Sequence, residues 1–301
     1  MMKLAGHTMG TPEYTLREAM KLFSSLGLSG IEIIIARDGY NCAIPETATN
    51  EEVLAVRDMA EEIGISVSGI TPYLNHFNDL NESVRQKECA CLRRVIDMAE
   101  LLGTENIRIY GGKLLDGEKD HYAEKRQQLI RSMRECGDYA AKKGIFLNME
   151  NHFGTMTTTA AITAGIARDI AHPNVGILYD QANLAFFPAE EYGEAISLQK
   201  DYIRYVHCKD LVYKSGKPEK ATFSEVSHVS EDERTVLSRI PGEGILKWPA
   251  IIDALADIGY EGWISLEYER RWHMNDLPDA AVGMRQGAAY IKSILEKRGL
   301  G

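Results

Sequence analysis

The chain has 301 residues, of which 45% are hydrophobic and 26% are charged, and its formal net charge at pH 7 is -10. This is the composition of an ordinary globular protein. Its acidity argues against a nucleic-acid partner and an anionic membrane surface, and no window approaches the roughly 18 apolar residues of a membrane span. The N-terminus has no apolar stretch of signal-peptide length, and the five cysteines lack CxxC spacing. We therefore expect a cytoplasmic protein with reduced thiols.

Strand-like runs alternate with amphipathic helical stretches along the chain. Strands are predicted at 4–9, 30–36, 65–71, 106–111, 145–150, 175–180, 202–207 and 263–267. Helices are predicted at 15–27, 50–64, 81–103, 121–144, 158–171, 190–200, 247–259 and 278–298, with Thr15 and Asn50 as the first two N-caps. Eight such pairs favour a single (β/α)8 TIM barrel over residues 1–301. An open doubly wound sheet is the alternative, but no GxGxxG motif follows the first strand.

One segment departs from this alternation. Residues 211–246 are polar, charged and far longer than the usual connection between a strand and a helix. We predict an irregular insertion after the seventh strand. In a barrel such a segment lies over the mouth, where it acts as a lid or a partner-contact arm, or else it is a mobile surface excursion.

Four of the predicted strands end on a residue that can bind a metal or transfer a proton. The runs IFLNME, VGILYD, YIRYVH and WISLE end on Glu150, Asp180, His207 and Glu267. In a (β/α)8 barrel the C-terminal strand ends converge on one mouth, where the chemistry of this fold takes place. A single carboxylate there is often an N-cap or a salt bridge, but three carboxylates and an imidazole suit a divalent ion. The sequence therefore predicts a metal-dependent enzyme.

Two further residues near these strand ends are predicted to be catalytic. His152, two residues after Glu150, is expected to be a general base or a substrate contact, or alternatively a partner that orients Glu150. Lys209, two residues after His207, keeps the same side-chain direction and could reach a substrate oxygen or phosphate. The alternative for Lys209 is a salt bridge with Asp210.

Substrate-binding candidates come from other strand ends. His7, near the end of the first strand, is expected either to line the mouth or to be satisfied in the core. Tyr110 and Glu32 are weaker candidates for the mouth. Arg270, in the run RRW at 270–272, follows the last strand and could bind a charged or ring-shaped substrate, although a solvated loop is the more frequent outcome for such charges.

Four sequence stretches carry a resemblance to a known family. They are NMENHFG at 148–154, LYDQAN at 178–183, VHCKD at 206–210 and the run from PGEGILKWP to LEYE at 241–269. Together they resemble the xylose isomerase-like TIM-barrel superfamily, which includes sugar (phosphate) isomerases and epimerases, ketose 3-epimerases, inosose dehydratase and 3-dehydroshikimate dehydratase. The resemblance covers essentially the whole chain, and it implies the same barrel fold.

The resemblance also implies a metal site. The family's ligands fall on Glu150, Asp180, His207 and Glu267, and the ion is commonly Mn²⁺, with Mg²⁺, Co²⁺ or Zn²⁺ as variants. In the family the ion holds adjacent oxygens of a sugar, polarises a carbonyl and neutralises the enediolate that is left when a carbon-bound proton is removed. By analogy with the ketose epimerases, Glu150 and Glu267 would relay protons on opposite faces of the substrate.

The chain departs from the epimerase pattern at two positions. Epimerases carry His three residues after the strand-six Asp, whereas this chain has Asn183, which can bind a sugar hydroxyl but cannot carry a proton near neutral pH. Epimerases also carry Glu and then Arg after the strand-seven His, where this chain has Cys208, Lys209 and Asp210 and later Tyr213. The HxKD form is more similar to the dehydratase and sugar-phosphate isomerase branches.

These considerations favour a metal-dependent isomerase or epimerase of a small sugar or keto-polyol. The alternative is a lyase on the same scaffold, either an inosose- or dehydroshikimate-type dehydratase or a C-glycoside-cleaving subunit. A third interpretation is a metal-bound sugar-binding or regulatory subunit. An endonuclease IV-like enzyme fits poorly, because the chain is acidic and has one candidate ligand His. The expected partner is a small-molecule substrate, and we expect a homo-oligomer, or a hetero-subunit in the C-glycoside-cleaving case.

Overall fold

The computed structural model describes residues 1–186, 190–219, 226 and 229–301. Parallel strands form a closed barrel: β1 (Lys3–His7), β2 (Gly30–Ala36), β3 (Ser66–Pro72), β4 (Asn106–Tyr110), β5 (Phe146–Glu150), β6 (Val175–Asp180), β7 (Ile203–Cys208) and β8 (Trp263–Leu266). The ring closes where β8 pairs with β1, with Trp263 opposite Lys3. The predicted fold class is therefore confirmed. A short strand, Ala43–Pro45, also pairs with the end of β2.

Helices surround the barrel: α1 (Leu16–Ser25), α2 (Asn50–Ile63), α3 (Glu82–Leu102), α4 (Tyr122–Ala141), α5 (Ala160–Ile170), α6 (Tyr192–Gln199), α7 (Trp248–Asp257) and α8 (Ala280–Arg298). Shorter helical turns occupy Thr8–Gly10, Asp116–His121, Gln181–Leu184 and Glu269–Arg271. Within the described ranges no helix is both long enough and apolar enough to cross a membrane.

Side-chain caps explain where the first two helices begin. The Thr15 side chain accepts from the Glu18 N–H, and the Glu18 carboxylate accepts from the Thr15 N–H, so this predicted N-cap is confirmed. The predicted N-cap of α2 was wrong by one residue. Thr49 and Glu52 form the same reciprocal pair there, and Asn50 is the first helical residue.

The core lies between the barrel and the helix layer. The strand β2, GIEIIIA, is buried along its whole length, as expected of a parallel strand with helices outside and side chains inside the barrel. Trp248 at the start of α7 is fully buried, and its Nε1 donates to the carbonyl oxygen of Lys209 at 3.2 Å. This contact fixes the chain just after β7, at the C-terminal mouth of the barrel.

The segment after β7 is more regular than its sequence predicts. Residues Asp210–Tyr213 pair in antiparallel register with Val236–Arg239 to form a separate two-stranded sheet. The insertion predicted as irregular at 211–246 thus contains two short paired strands. A strand of four residues gives too short an alternation of polar and apolar residues to recognise in a sequence. The first of these strands begins just after β7 ends at Cys208. Residues 220–225, 227 and 228 of this insertion lie outside the described residues.

Candidate metal centre

The four predicted ligands come together at the C-terminal mouth of the barrel. One donor atom from each of Glu150, Asp180, His207 and Glu267 lies within 4.8 Å of the other three donors, and all four residues are buried. Glu150 and Asp180 are the last residues of β5 and β6, and Glu267 directly follows β8. Asp180 lies opposite His207 in the ladder between β6 and β7. The parallel register thus brings the strand ends to one place.

An arginine from β4 holds one oxygen of Glu150. Arg108 donates from Nε to Glu150 Oε2 at 2.7 Å, and its Nη2 also contacts this oxygen. The other oxygen, Oε1, lies 3.2 Å from His207 Nδ1. Burial alone would raise the pKa of Glu150, but the charge of Arg108 holds this pKa at about 2. Glu150 is therefore ionised, with Oε1 directed to the centre of the cluster.

A second buried carboxylate, Glu32 from β2, orients His207. Both Glu32 oxygens lie 3.1 Å from His207 Nε2, and one of them accepts from Thr71 Oγ1 at 2.5 Å. An imidazole held in this way at one nitrogen presents the other to a metal. The nitrogen of His207 that is presented in this way is Nδ1, which lies 3.3 Å from Glu267 Oε2. Burial lowers the pKa of His207, but Glu267 and Glu32 raise it well above its usual value.

Lys209 links the cluster to the loop after β8. Its Nζ lies 3.0 Å from Asp180 Oδ2, 2.8 Å from Glu267 Oε2 and 3.1 Å from Glu269 Oε1. The predicted alternative partner, Asp210, accepts instead from backbone N–H groups. The ammonium group of Lys209 is thus committed to two of the candidate ligands and to Glu269.

Asn183 also holds two of the candidate ligands. Its Nδ2 donates to Asp180 Oδ2 at 3.1 Å and to Glu150 Oε1 at 3.3 Å, and it donates as well to the Asn151 carbonyl oxygen at 2.9 Å. The side-chain amide nitrogen is therefore occupied in positioning the carboxylates. The residue also borders the cavity above them.

The cluster fits a divalent cation by donor type and by charge. Burial is the main reason that the pKa of Asp180 is raised to about 7; Lys209 opposes the shift, and the charges of Glu267 and Glu150 add to it. A divalent ion at the cluster would favour the ionised form of this carboxyl group by offsetting its burial and the charges of Glu267 and Glu150. Carboxylate and imidazole donors suit Mn²⁺, Mg²⁺, Co²⁺ or Zn²⁺. Which residues bind the ion stays a prediction.

A cavity lies above the cluster and contains about 720 Å³ of empty space, its opening to solvent included. Five of the predicted site residues border it, namely Tyr110, His152, Asn183, Lys209 and Glu267. One wall is aromatic and is formed by Tyr73, Tyr110, Phe153, Phe186 and Trp272. Residues 229–238 of the insertion contribute two valines and four polar residues to the lining, namely Val229, Val236, Glu233, Arg234, Thr235 and Ser238. The described part of the insertion thus borders the candidate site.

His152 borders this cavity as a neutral imidazole. Burial lowers the pKa of His152 to about 4, so the ring is uncharged at neutral pH. Its Nδ1 lies 2.9 Å from the Phe153 carbonyl oxygen, and its ring meets the Tyr110 ring edge-on at 4.8 Å. If Nδ1 carries the proton that bonds this carbonyl, Nε2 has a free lone pair. His152 can then accept a hydrogen bond or a proton from a bound substrate.

Two predicted substrate-binding residues lie elsewhere. Among the described residues that line the cavity, neither His7 nor Arg270 is found. His7 is fully buried, and its ring meets that of His207 edge-on at 5.6 Å. One of its ring nitrogens lies within 4.8 Å of donor atoms of His207 and Glu267, so these three residues form a second group that could hold a metal. Arg270 donates from Nε to Glu13 at 2.9 Å and from Nη1 to the Leu277 carbonyl oxygen, so its guanidinium group ties loops together. Neither residue borders the cavity in the described part of the chain, and their role in substrate binding stays a prediction.

Sequence reasoning missed Arg108 and undervalued Glu32. Arg108 lies two residues before Tyr110 in β4, so both side chains point to the same face of the strand. Glu32 is the only charged residue in GIEIIIA. A charge at an inward position of an otherwise apolar strand was the available signal for both.

Solved structures share this fold. A D-psicose 3-epimerase in the presence of D-fructose superposes with a TM-score of 0.73 at 19% identity and covers 100% of both chains. The probable 3-DHS dehydratase AsbF from Bacillus anthracis gives a TM-score of 0.72 at 17% identity, over 97% of this chain and 99% of that one. At these identities the likeness concerns the fold alone.

Sequence comparison points to the same group. Inosose dehydratase from Geobacillus thermodenitrificans is 28% identical over 160 residues, which are 52% of this chain and 51% of that protein. The rhizopine catabolism protein MocC from Rhizobium meliloti is 27% identical over 143 residues, 46% of this chain and 42% of that protein. The chain thus spans about half the length of these curated relatives. Residues 20–294 match the family described as xylose isomerase-like TIM barrel, and the chain belongs to that family.

Proposed function

We propose that this protein is a metal-dependent isomerase or epimerase of a small sugar or keto-polyol, which removes a carbon-bound proton next to a carbonyl. The observation that carries the proposal is the set of four converging donors beneath a cavity bordered by Glu267, Lys209 and His152. The names of similar proteins support it, since a D-psicose 3-epimerase shares the fold and inosose dehydratase shares part of the sequence.

One divalent ion, with Mn²⁺ tried first, would be held by Glu150, Asp180, His207 and Glu267. Bound there, it would polarise the substrate carbonyl and neutralise the charge that develops as the neighbouring proton leaves. Glu267 borders the cavity and is the carboxylate we assign as proton acceptor. Its Oε2 is held by Lys209 at 2.8 Å, which leaves Oε1 to face the substrate.

A lyase is the second candidate, and the surroundings of Glu150 favour it. Two-base epimerisation needs a carboxylate on each face of the substrate, but Glu150 is not among the described residues that line the cavity, and Arg108 holds its Oε2. With Glu267 as the principal base, the enediolate can instead expel a hydroxyl group on the neighbouring carbon. Lys209 is the lysine among the described residues that line the cavity, and we assign its Nζ as the proton donor to this departing oxygen. The product would then be dehydrated, or cleaved from an aryl carbon if the chain is a subunit of a C-glycoside-cleaving enzyme.

The experiment that tests the proposal is a substrate screen in D2O with added Mn²⁺, followed by NMR. Ketoses and inososes are the compounds to include. Deuterium at a carbon next to the carbonyl supports proton removal, and the product then separates an isomer or epimer from loss of water. If no compound exchanges a proton, and metal-loaded protein still binds sugars, the sugar-binding subunit becomes the better interpretation. Whether the protein is a homo-oligomer stays a prediction.

A further inference from the structure

A second cavity, here called the side chamber, lies beside the cavity above the cluster. It is lined by residues from the ends of β2 and β3, from α3 and from the loop after β8, and it contains about 580 Å³ of empty space, its opening to solvent included. Its apolar lining comes from Ile35, Ala36, Pro72, Leu74 and Val95. Tyr73 and Trp272 border both cavities. The side chamber therefore adjoins the candidate site across these two rings.

A guanidinium group that borders the side chamber has one nitrogen to spare. The side chain of Arg271 is only 9% exposed, and its Nη2 donates to Asp38. Its Nη1 is buried and has no hydrogen-bond partner among the described residues. The group is held in place by aromatic rings, since its Cζ lies 4.1 Å from the ring centroid of Tyr40 and 4.6 Å from that of Trp272. Buried polar groups are rarely left without a partner, so one beside a cavity indicates a ligand that supplies it.

The hydroxyl group of Tyr73 is a second donor at the side chamber. This oxygen is buried, and the described part of the chain offers it no hydrogen-bond partner. Burial raises the pKa of Tyr73 well above its usual value, so the hydroxyl group keeps its proton at neutral pH. The Cζ atom of Arg271 lies 5.6 Å from the centroid of the Tyr73 ring, so the two donors are near each other. The ligand group that satisfies both is an oxygen that accepts hydrogen bonds.

The charged groups of the side chamber are already paired with one another. Arg37 donates from Nη2 to Glu46 Oε1 at 2.8 Å. The charge of Arg271 is matched by that of Asp38. These two pairs contain all four charged residues in the described lining of the chamber. A carboxylate or an ammonium group on a ligand would meet no uncommitted opposite charge there, and its burial would be unfavourable. The charges therefore favour a neutral ligand.

We propose that the side chamber binds a small, neutral, ring-shaped molecule whose carbonyl oxygen accepts hydrogen bonds from Arg271 Nη1 and from the Tyr73 hydroxyl group. The apolar body of the ring would pack against Leu74, Val95 and the indole ring of Trp272. This site lies beside the centre of the proposed reaction, and its existence does not depend on that reaction. Because the two cavities share Tyr73 and Trp272, the ring is either the non-reacting end of the substrate or a separate ligand.

The first experiment titrates metal-free protein with benzamide, a neutral ring compound with a carbonyl oxygen, and follows binding by NMR. A dissociation constant of about 1–10 mM is expected for a compound with so few atoms. Benzoate and benzylamine carry the same ring with a negative or a positive charge, and they should bind at least about tenfold more weakly. Absence of benzamide binding in this concentration range would overturn the proposal, and so would equal binding of benzoate or benzylamine.

The second experiment tests whether benzamide binds at the two donors. Arg271→Met and Tyr73→Phe should each weaken binding at least about fivefold, because each removes one hydrogen bond to the carbonyl oxygen. The matched control is Arg270→Met, which changes the neighbouring arginine. Arg270 is not among the described lining residues of either cavity, so this variant should bind benzamide as the wild type does. Wild-type affinity in both Arg271→Met and Tyr73→Phe would overturn the proposal. If Arg271→Met does not fold, Tyr73→Phe alone decides.

A third measurement identifies the source of the ring. It uses metal-loaded protein and a compound that exchanges a proton in the D2O screen. Competition between benzamide and this compound assigns the side chamber to the non-reacting end of the substrate, whereas simultaneous binding assigns it to a separate ligand. If the screen finds no such compound, the proposed reaction fails, and benzamide binding to the metal-free protein still decides whether the side chamber is a ligand site.

Discussion

Glu150 and Glu267 look alike in the sequence, since each marks the C-terminal end of a barrel strand, but the structure gives them different surroundings. On the Glu150 side, Arg108 holds Oε2 through two nitrogens and is itself stacked on Tyr110, 3.7 Å from the ring centroid. On the Glu267 side, Lys209 holds the carboxylate and also reaches Glu269 in the loop after β8. The Glu150 side is thus held by a residue of the barrel, whereas the Glu267 side is connected to a loop through Lys209.

The difference indicates a division of roles between the two carboxylates. A ligand that must keep one geometry benefits from a rigid, buried partner, as Arg108 provides for Glu150. A carboxylate that must accept and return a proton needs access to the cavity, and Glu267 borders it while Glu150 does not appear among the described lining residues. We therefore expect substitutions on the Glu150 side to affect mainly metal binding, and substitutions on the Glu267 side to affect mainly turnover.

The largest effect is expected when two of the candidate ligands are removed together. The Glu150→Gln/Asp180→Asn variant should bind Mn²⁺ at least about 100-fold more weakly than the wild type, since even partners of ligands commonly contribute 10- to 100-fold. Metal titration and elemental analysis measure this. Glu13→Gln, whose carboxylate binds Arg270 outside the cavity, is the control and should retain the metal. Unchanged metal content in the double variant would mean that these residues are not the ligands.

On the Glu267 side, the substitution Glu267→Gln should abolish proton removal from the substrate. A positioned general base contributes about 100- to 10,000-fold, so deuterium incorporation into a true substrate should fall by that factor even where some metal is retained. His152→Ala is the companion variant, and it should slow turnover while it leaves metal binding largely intact. Exchange at the wild-type rate in the Glu267→Gln enzyme would contradict the assignment of the base and would favour a binding subunit.

The contrast between the two sides also separates what the sequence could predict from what it could not. Hydrophobic periodicity, caps such as Thr15 and strand-end residues such as Asp180 are local signals, and they were enough to predict the barrel and the converging cluster. The role of Arg108 depends on the register between β4 and β5, which places Tyr110 opposite Glu150. The register between two strands that are distant in the sequence cannot be predicted from the sequence of either strand alone.

The same limit explains which contacts of the loops the sequence could not predict. Arg270 follows the last barrel strand, as a substrate-binding residue would, but its direction is decided by Glu13, some 257 positions away in the sequence. The strands at Asp210–Tyr213 and Val236–Arg239 pair across the insertion and have no repeating pattern long enough to detect. Long-range contacts settle both outcomes, and a single sequence does not reveal them.

A matched pair of substitutions tests the division of roles directly. Arg108→Gln should weaken Mn²⁺ binding about 10- to 100-fold, because Glu150 loses the partner that fixes its Oε2. Lys209→Gln removes an ammonium group that competes for Asp180 and Glu267, so metal affinity should stay the same or rise while turnover falls. Arg108→Lys, which keeps a charge but not the paired geometry, should lie in between. If Arg108→Gln and Lys209→Gln lowered the metal affinity equally, the proposed difference between the Glu150 side and the Glu267 side would be wrong.

Metal binding should also depend on pH. The pKa of Asp180 is raised to about 7 by burial, and that of His207 is raised well above its usual value by neighbouring carboxylates. Both groups must lose their protons to bind an ion, so metal affinity should fall as pH decreases through 7, by up to about tenfold per pH unit for each proton displaced. Calorimetry in buffers of different ionisation enthalpy counts these protons. An affinity that does not change between pH 6 and pH 8 would contradict the protonated state of the metal-free cluster.

The smallest effect is expected at the contact between the insertion and the Glu267 side. Ser238 Oγ donates to Glu269 Oε2 at 3.2 Å, and Glu269 in turn contacts Lys209. Ser238→Ala removes one hydrogen bond of about 0.5–1.5 kcal/mol, which corresponds to a rise in KM of roughly 2- to 10-fold if the insertion closes over the substrate. Metal affinity should not change, because Ser238 touches no candidate ligand. Steady-state kinetics measures the KM of this variant, and metal titration measures its metal affinity. A loss of metal affinity would contradict this prediction and would show that the insertion stabilises the cluster itself.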